Sequence, residues 1–169
     1  MKRARVIGTG SYLPEKILTN FDIEKMVDTN NDWIIARTGI EQRRIAADTE
    51  NTSDLATKAA ERALEMAGVS AEEIDLIVMG TITGDYPWPA TACIVQNNLG
   101  ASNAYAYDIS AACSGFVYAL SSATDFLEAG RGKKALVIGA EILSRVVDWT
   151  DRNTCVLFGD GSGAVVLEA

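Results

Sequence analysis

Short apolar runs alternate with longer segments of helical periodicity along this chain, and the alternation limits the folds it can adopt. Residues 74–80 and 135–139 are nearly continuous runs of apolar side chains. Such runs are typical of strands that helices cover on both faces. Residues 53–67 place apolar side chains on one helical face, and Gly68 follows as a helix stop signal. We therefore expect a layered α/β domain with parallel strand pairs and right-handed crossovers.

The remaining elements are predicted from the same patterns. Further strands are expected at residues 5–10, 103–109, 155–158 and 164–167, and further helices at residues 21–37, 89–99 and 114–129. Asn20 is the expected N-cap of the helix at residues 21–37. Residues 159–163 are rich in glycine and lie between two strand-like runs, so they predict the turn of a hairpin.

The amino-acid composition excludes several classes of chemistry. The 169 residues include no histidine, so zinc sites of the Cys/His kind and any Cys–His or Ser–His pair contained wholly in this chain are excluded. We accordingly expect no metal site. With 15 basic and 23 acidic residues, the net charge of −8 argues against nucleic-acid binding. No run has the length of a signal peptide or of a membrane span, so we expect a cytoplasmic protein with free thiols and no membrane partner.

Two glycine-rich segments resemble nucleotide-binding loops without matching them. Residues 8–10 follow a first strand as Gly-Thr-Gly, but the third glycine is missing and Pro14 follows. A turn from strand to loop is the better interpretation. Residues 159–163 lack the Lys-Ser/Thr ending of a phosphate-binding loop, and we interpret them as a tight structural turn.

The three cysteines differ in their surroundings. Cys93 and Cys155 lie among apolar neighbours and are expected to be packed and inert. Cys113 lies among small residues between a buried strand and a helix. Such an elbow lifts a side chain above the sheet, the helix N-terminus favours a thiolate, and the next backbone N–H groups could stabilise an oxyanion. From these residues alone, Cys113 is either a nucleophile or another packed thiol.

Several motifs, in the same order along the chain, resemble those of one enzyme family. They lie at residues 7–14, 31–34, 37–40, 150–152 and 158–164 and at the elbow around Cys113. Together they resemble the β-ketoacyl-acyl-carrier-protein synthase III family, the thiolase-like condensing enzymes that start fatty acid synthesis. The resemblance implies that residues 1–169 form one βαβαβαββ half of a layered α-β-α-β-α fold. It also implies that the C-terminal half is absent from this chain.

The resemblance implies a role in catalysis or in coenzyme A binding for several residues. Cys113 would be the nucleophile that takes the acyl group from a primer acyl-CoA. Trp33 and Arg152 would sandwich the adenine of CoA, since an indole face and a guanidinium plane both stack well. Thr29 and Arg37 would be further contacts to CoA or to the carrier protein. The alternatives are a partly buried packing role for Trp33 and solvated surface roles for Thr29 and Arg37.

The resemblance also implies an aromatic residue that closes the acyl pocket, partly from a dimer partner. Trp88 falls at that place, and a wide indole would favour short primers. Because Trp88 stands where Phe is more usual, the expected pocket size and the chain-length preference stay open.

The family's second step uses a His and an Asn from the half that this chain lacks. Condensation with malonyl-acyl-carrier protein is therefore not expected from this chain alone. The implied partners are acyl-CoA as substrate, the malonyl carrier protein, the C-terminal half and a second copy of the chain, paired through N-terminal halves, with no cofactor. Two alternatives stay open: a related synthase of specialised metabolism with a different primer, and a catalytically silent folding or dimerisation module.

Overall fold

A mixed five-stranded sheet organises the chain, whose computed structural model describes residues 3–169. The strands are β1 (Arg5–Tyr12), β2 (Lys16–Thr19), β3 (Gln42–Ile45), β4 (Leu76–Gly80), β5 (Tyr105–Ile109), β6 (Lys134–Ile142) and β7 (Asp160–Glu168). The helices are α1 (Asn20–Ile23), α2 (Asn31–Thr38), α3 (Thr52–Ala67), α4 (Thr91–Leu99) and α5 (Gly115–Glu128). The sheet order is β1-β7-β6-β4-β5, and β2 pairs with β3 in a separate ribbon.

The elements of the main sheet follow the predicted βαβαβαββ order. They run β1, α3, β4, α4, β5, α5, β6 and β7 along the chain. Strand β4 pairs in parallel with β5 and β6, whereas β7 pairs antiparallel with β6 and β1. The predicted α/β class with parallel strand pairs is therefore confirmed.

Helices cover the two faces of the sheet unequally. Helices α3 and α4 pack on one face against Ile77 and Met79 of β4, and α5 packs on the other face against Leu76 and Val78. Alternate residues of a strand point to opposite faces of the sheet. Because helices cover both faces, all four side chains are buried. None of the helices in the described part of the chain has the length and apolar character needed to span a membrane.

The prediction that residues 8–10 form a turn is wrong, because both glycines lie inside β1. A Cβ on Gly8 would collide with the backbone oxygen of Ala63, and one on Gly10 with that of Ala59. Both of those residues belong to α3. The glycines therefore let the helix backbone lie directly on the edge strand.

The helix predicted at residues 21–37 is wrong in extent, since the structure has two helices there. The side chain of Thr19, and not that of Asn20, caps α1 by accepting the amide of Asp22. Asn30 adopts an extended conformation and caps α2 by accepting the amide of Trp33 at 2.8 Å. Each cap starts a new helix, so the shared helical spacing does not produce a continuous one.

The hairpin predicted around residues 159–163 is also wrong. Asp160–Glu168 forms one continuous strand between β1 and β6, with Gly161 opposite Glu141 and Gly163 opposite Gly139. Residues 154–157 are turns rather than a strand. Gly159 precedes this strand, and a Cβ on Gly161 would lie 2.9 Å from the Leu13 side chain.

Two buried polar side chains fasten the segment containing β2 and β3 to the main sheet. The carboxylate of Asp160 accepts the amide of Ala46 at 2.7 Å and the amide and hydroxyl of Ser144 at 2.9 and 2.6 Å. The guanidinium of Arg43 donates to Asn20 Oδ1 at 2.7 Å and to the Val156 carbonyl at 2.6 Å. Burial lowers the pKa of Arg43.

Candidate active site

Cys113 lies at a sharp elbow between β5 and α5. Ala112–Ser114 form a single 3-10 turn that leads directly into α5, and the Cys113 side chain is exposed. Ala112 has a φ of +46°, a left-handed conformation that residues other than glycine rarely adopt. The chain therefore holds an uncommon backbone conformation at the residue before the thiol.

Glycine contacts seat the elbow on the end of β4. Gly80 is the last residue of β4, and it lies directly against Gly115 at the start of α5. The amide of Thr81 donates to the Ile109 carbonyl at 3.2 Å, which ties the same strand end to the end of β5. The absence of a side chain at Gly115 therefore permits the close approach of the Gly80 backbone.

The thiol opens into a cavity of about 240 Å³. Apart from Cys113 and Glu141, the cavity is lined by glycine, alanine and phenylalanine: Gly80, Ala112, Phe116, Gly139, Ala140, Gly159 and Gly161. Such a lining is mostly apolar and small, which suits an aliphatic acyl group next to a nucleophile. A larger cavity of about 830 Å³ lies at the free edge of β5 and contains no thiol.

Glu141 is the polar residue of this cavity that sequence reasoning missed. The predicted strand at residues 135–139 ends too early, and β6 continues through Glu141 to Ile142. A glutamate near a strand end carries no sequence signal of its own. Its alternation with the buried Ala140 and Ile142 is the one pattern that could have extended the strand.

Trp33 and two arginines form a second cluster. Trp33 lies on α2, and the Arg37 guanidinium one helical turn later lies 4.3 Å from the centroid of its ring. Arg152 arrives from a distant turn and places its guanidinium 4.9 Å from the same ring. The structure therefore brings together three of the residues that the sequence singled out for CoA, with the geometry of cation–π contacts.

The turn that carries Arg152 is held by acidic side chains. Asp148 accepts the hydroxyl and amide of Thr150, and these hydrogen bonds lower its pKa. Asp151 accepts the amide of Asn153 at 3.0 Å, which likewise lowers its pKa. Arg152 itself donates to the Asp28 carbonyl at 2.9 Å.

Thr29 follows Asp28 in the chain and so lies beside the arginine–tryptophan cluster. Its Oγ1 atom is buried and has no hydrogen-bond partner among residues 3–169. A hydroxyl that is buried without a partner is unfavourable unless a ligand or water completes its hydrogen bonding.

Trp88 is not part of the Cys113 cavity. Its side chain is 81% exposed on the loop between β4 and α4. The other two cysteines are also elsewhere: Cys93 is half-buried, and Cys155 is buried, which raises the pKa of its thiol. Among residues 3–169, no three metal-ligating side chains form a group that could hold a metal ion.

The segment after Arg152 connects the two clusters. Cys155 and Val156 are buried beside Trp33 in one hydrophobic cluster, and Gly159 and Gly161 then line the Cys113 cavity. The Trp33 cluster and the Cys113 cavity are therefore neighbours of one continuous segment, residues 155–161.

Comparison with known proteins agrees with this arrangement. The family model described as 3-oxoacyl-[acyl-carrier-protein (ACP)] synthase III matches residues 107–169. The chain is 61% identical over 164 residues to the β-ketoacyl-[acyl-carrier-protein] synthase III of Caldanaerobacter subterraneus subsp. tengcongensis, covering 97% of this chain and 50% of that protein.

Two solved structures are similar throughout the chain. The 3-oxoacyl-[acyl-carrier-protein] synthase III of Aquifex aeolicus VF5 has a TM-score of 0.96 at 57% identity, covering 98% of this chain and 54% of that one. The priming β-ketosynthase of the R1128 polyketide biosynthetic pathway has a TM-score of 0.96 at 42% identity, covering 99% and 50%. The chain spans about half the length of the relatives it matches.

The likeness to these structures, at a TM-score of 0.96, defines a condensing-enzyme fold of the thiolase-like class. Within that class, the chain belongs to the 3-oxoacyl-acyl-carrier-protein synthase III family, whose members are also named β-ketoacyl-acyl-carrier-protein synthase III.

Proposed function

We propose that this chain carries the acyl-accepting nucleophile of an initiating condensing enzyme of fatty acid synthesis. The observation that carries the proposal is the exposed Cys113 thiol, held on a constrained elbow above an apolar cavity. It is supported by the 61% identity to a β-ketoacyl-[acyl-carrier-protein] synthase III. A cysteine thiolate in such a place is suited to covalent catalysis.

The first step would be a thioester exchange at Cys113. The thiolate attacks the carbonyl carbon of a short acyl-CoA, a new carbon–sulfur bond forms, and the bond to CoA sulfur breaks. CoA leaves as a thiolate that takes up a proton, so the step needs no metal or redox cofactor. The backbone N–H groups of the elbow would stabilise the oxyanion formed in between.

The second step would join this acyl group to malonyl-acyl-carrier protein. Loss of CO2 supplies a carbon nucleophile that attacks the Cys113 thioester, and the cysteine thiolate departs as a 3-ketoacyl-carrier protein forms. The chain contains no histidine. We therefore propose that a second half supplies the His and Asn that stabilise the charge developed during decarboxylation.

The second half would cover the outer side of α5. Val117 and Tyr118 are 61% and 56% exposed there, and a shallow apolar cavity of about 430 Å³ lies beside Phe116 between β1, β6 and β7. Exposed apolar surface of this kind favours a protein contact. In the layered fold, the second half would take that place.

Trp33 and Arg152 would bind the adenine of CoA, with Arg37 and Thr29 nearby. The proximity of both guanidinium groups to Trp33 supports this assignment, and Arg152, 4.9 Å from the ring centroid, would move aside to admit the adenine. CoA would then extend along the segment that leads to the Cys113 cavity.

Trp88 would close the acyl pocket of a partner protomer, because its exposed ring lies outside the cavity of its own chain. In a complete dimeric enzyme, Trp88→Ala should then admit longer acyl-CoA primers. An unchanged primer preference would show that Trp88 does not line the acyl pocket.

Intact mass spectrometry with acetyl-CoA tests the central proposal. The wild-type chain should gain one acetyl group, Cys113→Ala should gain none, and Cys93→Ala should behave as wild type. An adduct that persists in Cys113→Ala would contradict the assignment of the nucleophile.

The two alternatives give different results. A silent folding module would leave Cys113 free of acetyl while iodoacetamide still alkylates it. The 42% identity to a priming β-ketosynthase of a polyketide pathway favours a second candidate function, in which another acyl-CoA is the primer. Acylation by a longer or branched acyl-CoA in preference to acetyl-CoA would indicate that function.

A further inference from the structure

The carboxylate of Glu141 binds the segment that leaves β4 beside Cys113. Its Oε1 atom accepts the amide of Ile82 at 2.9 Å. Its Oε2 atom accepts the amide of Thr83 at 3.0 Å, the hydroxyl of Thr81 at 3.2 Å and the hydroxyl of Thr83. One side chain on β6 therefore fixes three consecutive residues of a neighbouring segment.

The unequal lengths of two neighbouring strands produce this contact. Gly80 ends β4 opposite Gly139, whereas β6 continues through Glu141 to Ile142. The chain leaving β4 consequently passes alongside the extra residues of β6. The amide of Ile142 also donates to the Thr83 hydroxyl at 2.9 Å, so backbone and side chain of β6 hold the same threonine.

The hydrogen bonds of the Glu141 carboxylate indicate a positioning role rather than that of a base. Four donors from one segment bond the carboxylate, three of them at Oε2 and one at Oε1. Across residues 3–169, no lysine or arginine forms a salt bridge with this carboxylate. Glu141 is therefore suited to hold neighbouring backbone in place rather than to take a proton from a substrate.

The held segment follows directly on the wall around the thiol. Gly80 and Glu141 both line the Cys113 cavity, and the Thr81 amide is bonded to the Ile109 carbonyl at the start of the elbow. The segment therefore lies between the elbow on one side and Glu141 on the other. These bonds also fix the Glu141 side chain, so their loss would free a side chain that lines the cavity while the elbow stayed attached to β5.

The loop that follows is fastened at two more points. Thr52 donates its hydroxyl to the Thr83 carbonyl, and Asp85 accepts the amide and hydroxyl of Ser53 at 2.9 and 2.6 Å. These bonds attach the far side of the loop to the start of α3. Glu141 supplies the attachment on the side of the thiol.

We infer that Glu141 is a positioning residue that sets the width of the cavity next to Cys113 and so limits the size of the group the thiol accepts. Naming that group as the acyl chain of an acyl-CoA rests on the proposed function. The width itself is a property of the cavity and can be measured with any thiol reagent.

The test compares small and large reagents on Glu141→Gln. Glutamine has the same shape, but its NH2 group cannot accept a hydrogen bond, so at least one donor loses its partner. We expect the rate ratio of hexanoyl-CoA to acetyl-CoA acylation at Cys113 to rise by about tenfold. The rate ratio of N-ethylmaleimide to iodoacetamide alkylation should rise in the same direction. A ratio of two rates does not change when part of the protein is simply inactive.

Two further variants complete the design. Glu61→Gln makes the same substitution at an exposed position on α3, and both ratios should equal those of wild type. Thr83→Val removes a hydroxyl that donates to Glu141 and accepts from Ile142, so it should shift both ratios as Glu141→Gln does.

The outcomes separate the two proposals. A wild-type chain that no acyl-CoA acylates would contradict the proposed function, and the alkylation ratio would still decide the role of Glu141. Alkylation ratios that agree within twofold between wild type and Glu141→Gln would overturn that role. Equal shifts in Glu61→Gln and Glu141→Gln would overturn it as well.

Discussion

Gly80 and Gly115 meet backbone to backbone, and a Cβ on Gly115 would lie 3.2 Å from the Cα of Gly80. In the other direction, a Cβ on Gly80 would lie 2.5 Å from the carbonyl carbon of Gly115 and 2.7 Å from the amide nitrogen of Phe116. Real Cβ atoms do not approach backbone atoms so closely. The contact therefore sets how near the cysteine elbow lies to the end of β4.

The variant Gly80→Ala should push α5 away from the sheet. We expect the free energy of unfolding to fall by about 1–3 kcal/mol, the usual cost of overpacking a well-packed interior. Denaturant titration measures it. Gly163→Ala is the matched control, since the nearest atom to an added Cβ there is the Gly10 oxygen at 4.0 Å. Equal stability of Gly80→Ala and wild type would show that the elbow tolerates the displacement.

Removing Trp33 or Arg152 should weaken CoA binding. Each substitution to alanine takes away one stacking surface, so we expect the Kd to rise by about tenfold in calorimetric titration. The two effects should not add in the double variant, because both groups would contact one adenine. Arg131→Ala, an exposed arginine at the other cavity, should leave the Kd unchanged. Wild-type affinity in Trp33→Ala would place the adenine elsewhere.

Asp22 should titrate far below an ordinary aspartate. The Thr19 hydroxyl and amide hydrogen-bond its carboxylate and lower its pKa from 3.8 to about 2. Because the pKa is lower in the folded state, the carboxylate stabilises the fold above about pH 4 and loses this effect as the pH falls towards 2. NMR titration of the carboxyl carbon measures it.

Two variants identify the cause of this low pKa. Thr19→Val should raise the pKa of Asp22, because it removes the hydroxyl hydrogen bond, the largest cause, and keeps that of the Thr19 amide; Lys25→Met should raise it less. A larger effect of Lys25→Met would mean that charge, rather than the helix cap, holds the carboxylate ionised.

The free edge of β5 should pair two copies of the chain. Tyr105 is 69% exposed on this edge strand and packs edge-on against Phe126, next to the large cavity. Unpaired strand edges with apolar side chains favour association with another chain. We expect a dimer by sedimentation velocity and a rise in its Kd of about tenfold or more in Tyr105→Lys. Met66→Lys, equally exposed on α3, should leave the dimer intact, and a monomeric wild type would contradict the prediction.

The sequence predicted the buried parallel strands and the cysteine elbow because their signals are local. A continuous apolar run such as residues 74–80 indicates burial on two faces without any knowledge of its neighbours. Gly159 and Gly161 were misinterpreted because their role depends on residues far away in sequence. A glycine that lines a cavity formed by residues distant in sequence has the same neighbouring residues as a glycine in a turn.

The same distinction between local and long-range signals applies to the residues of the candidate site. The cluster of Trp33, Arg37 and Arg152 was expected from motif resemblance, and the structure supplies the contacts between them. Glu141 could not be predicted, because its hydrogen bonds exist only when β6 runs past the end of β4. Strand lengths relative to one another are a tertiary property.

The buried carboxylate of Asp160 and the guanidinium of Arg43 hold the two parts of the candidate site together. They join the segment that bears Trp33 to the sheet that bears Cys113 through hydrogen bonds of 2.6–2.9 Å. Because these bonds tie the two surfaces together, we expect them to unfold as one cooperative unit. If the proposed thioester binds at both places, its reactive carbon would have to lie at one set distance from the group that contacts Trp33.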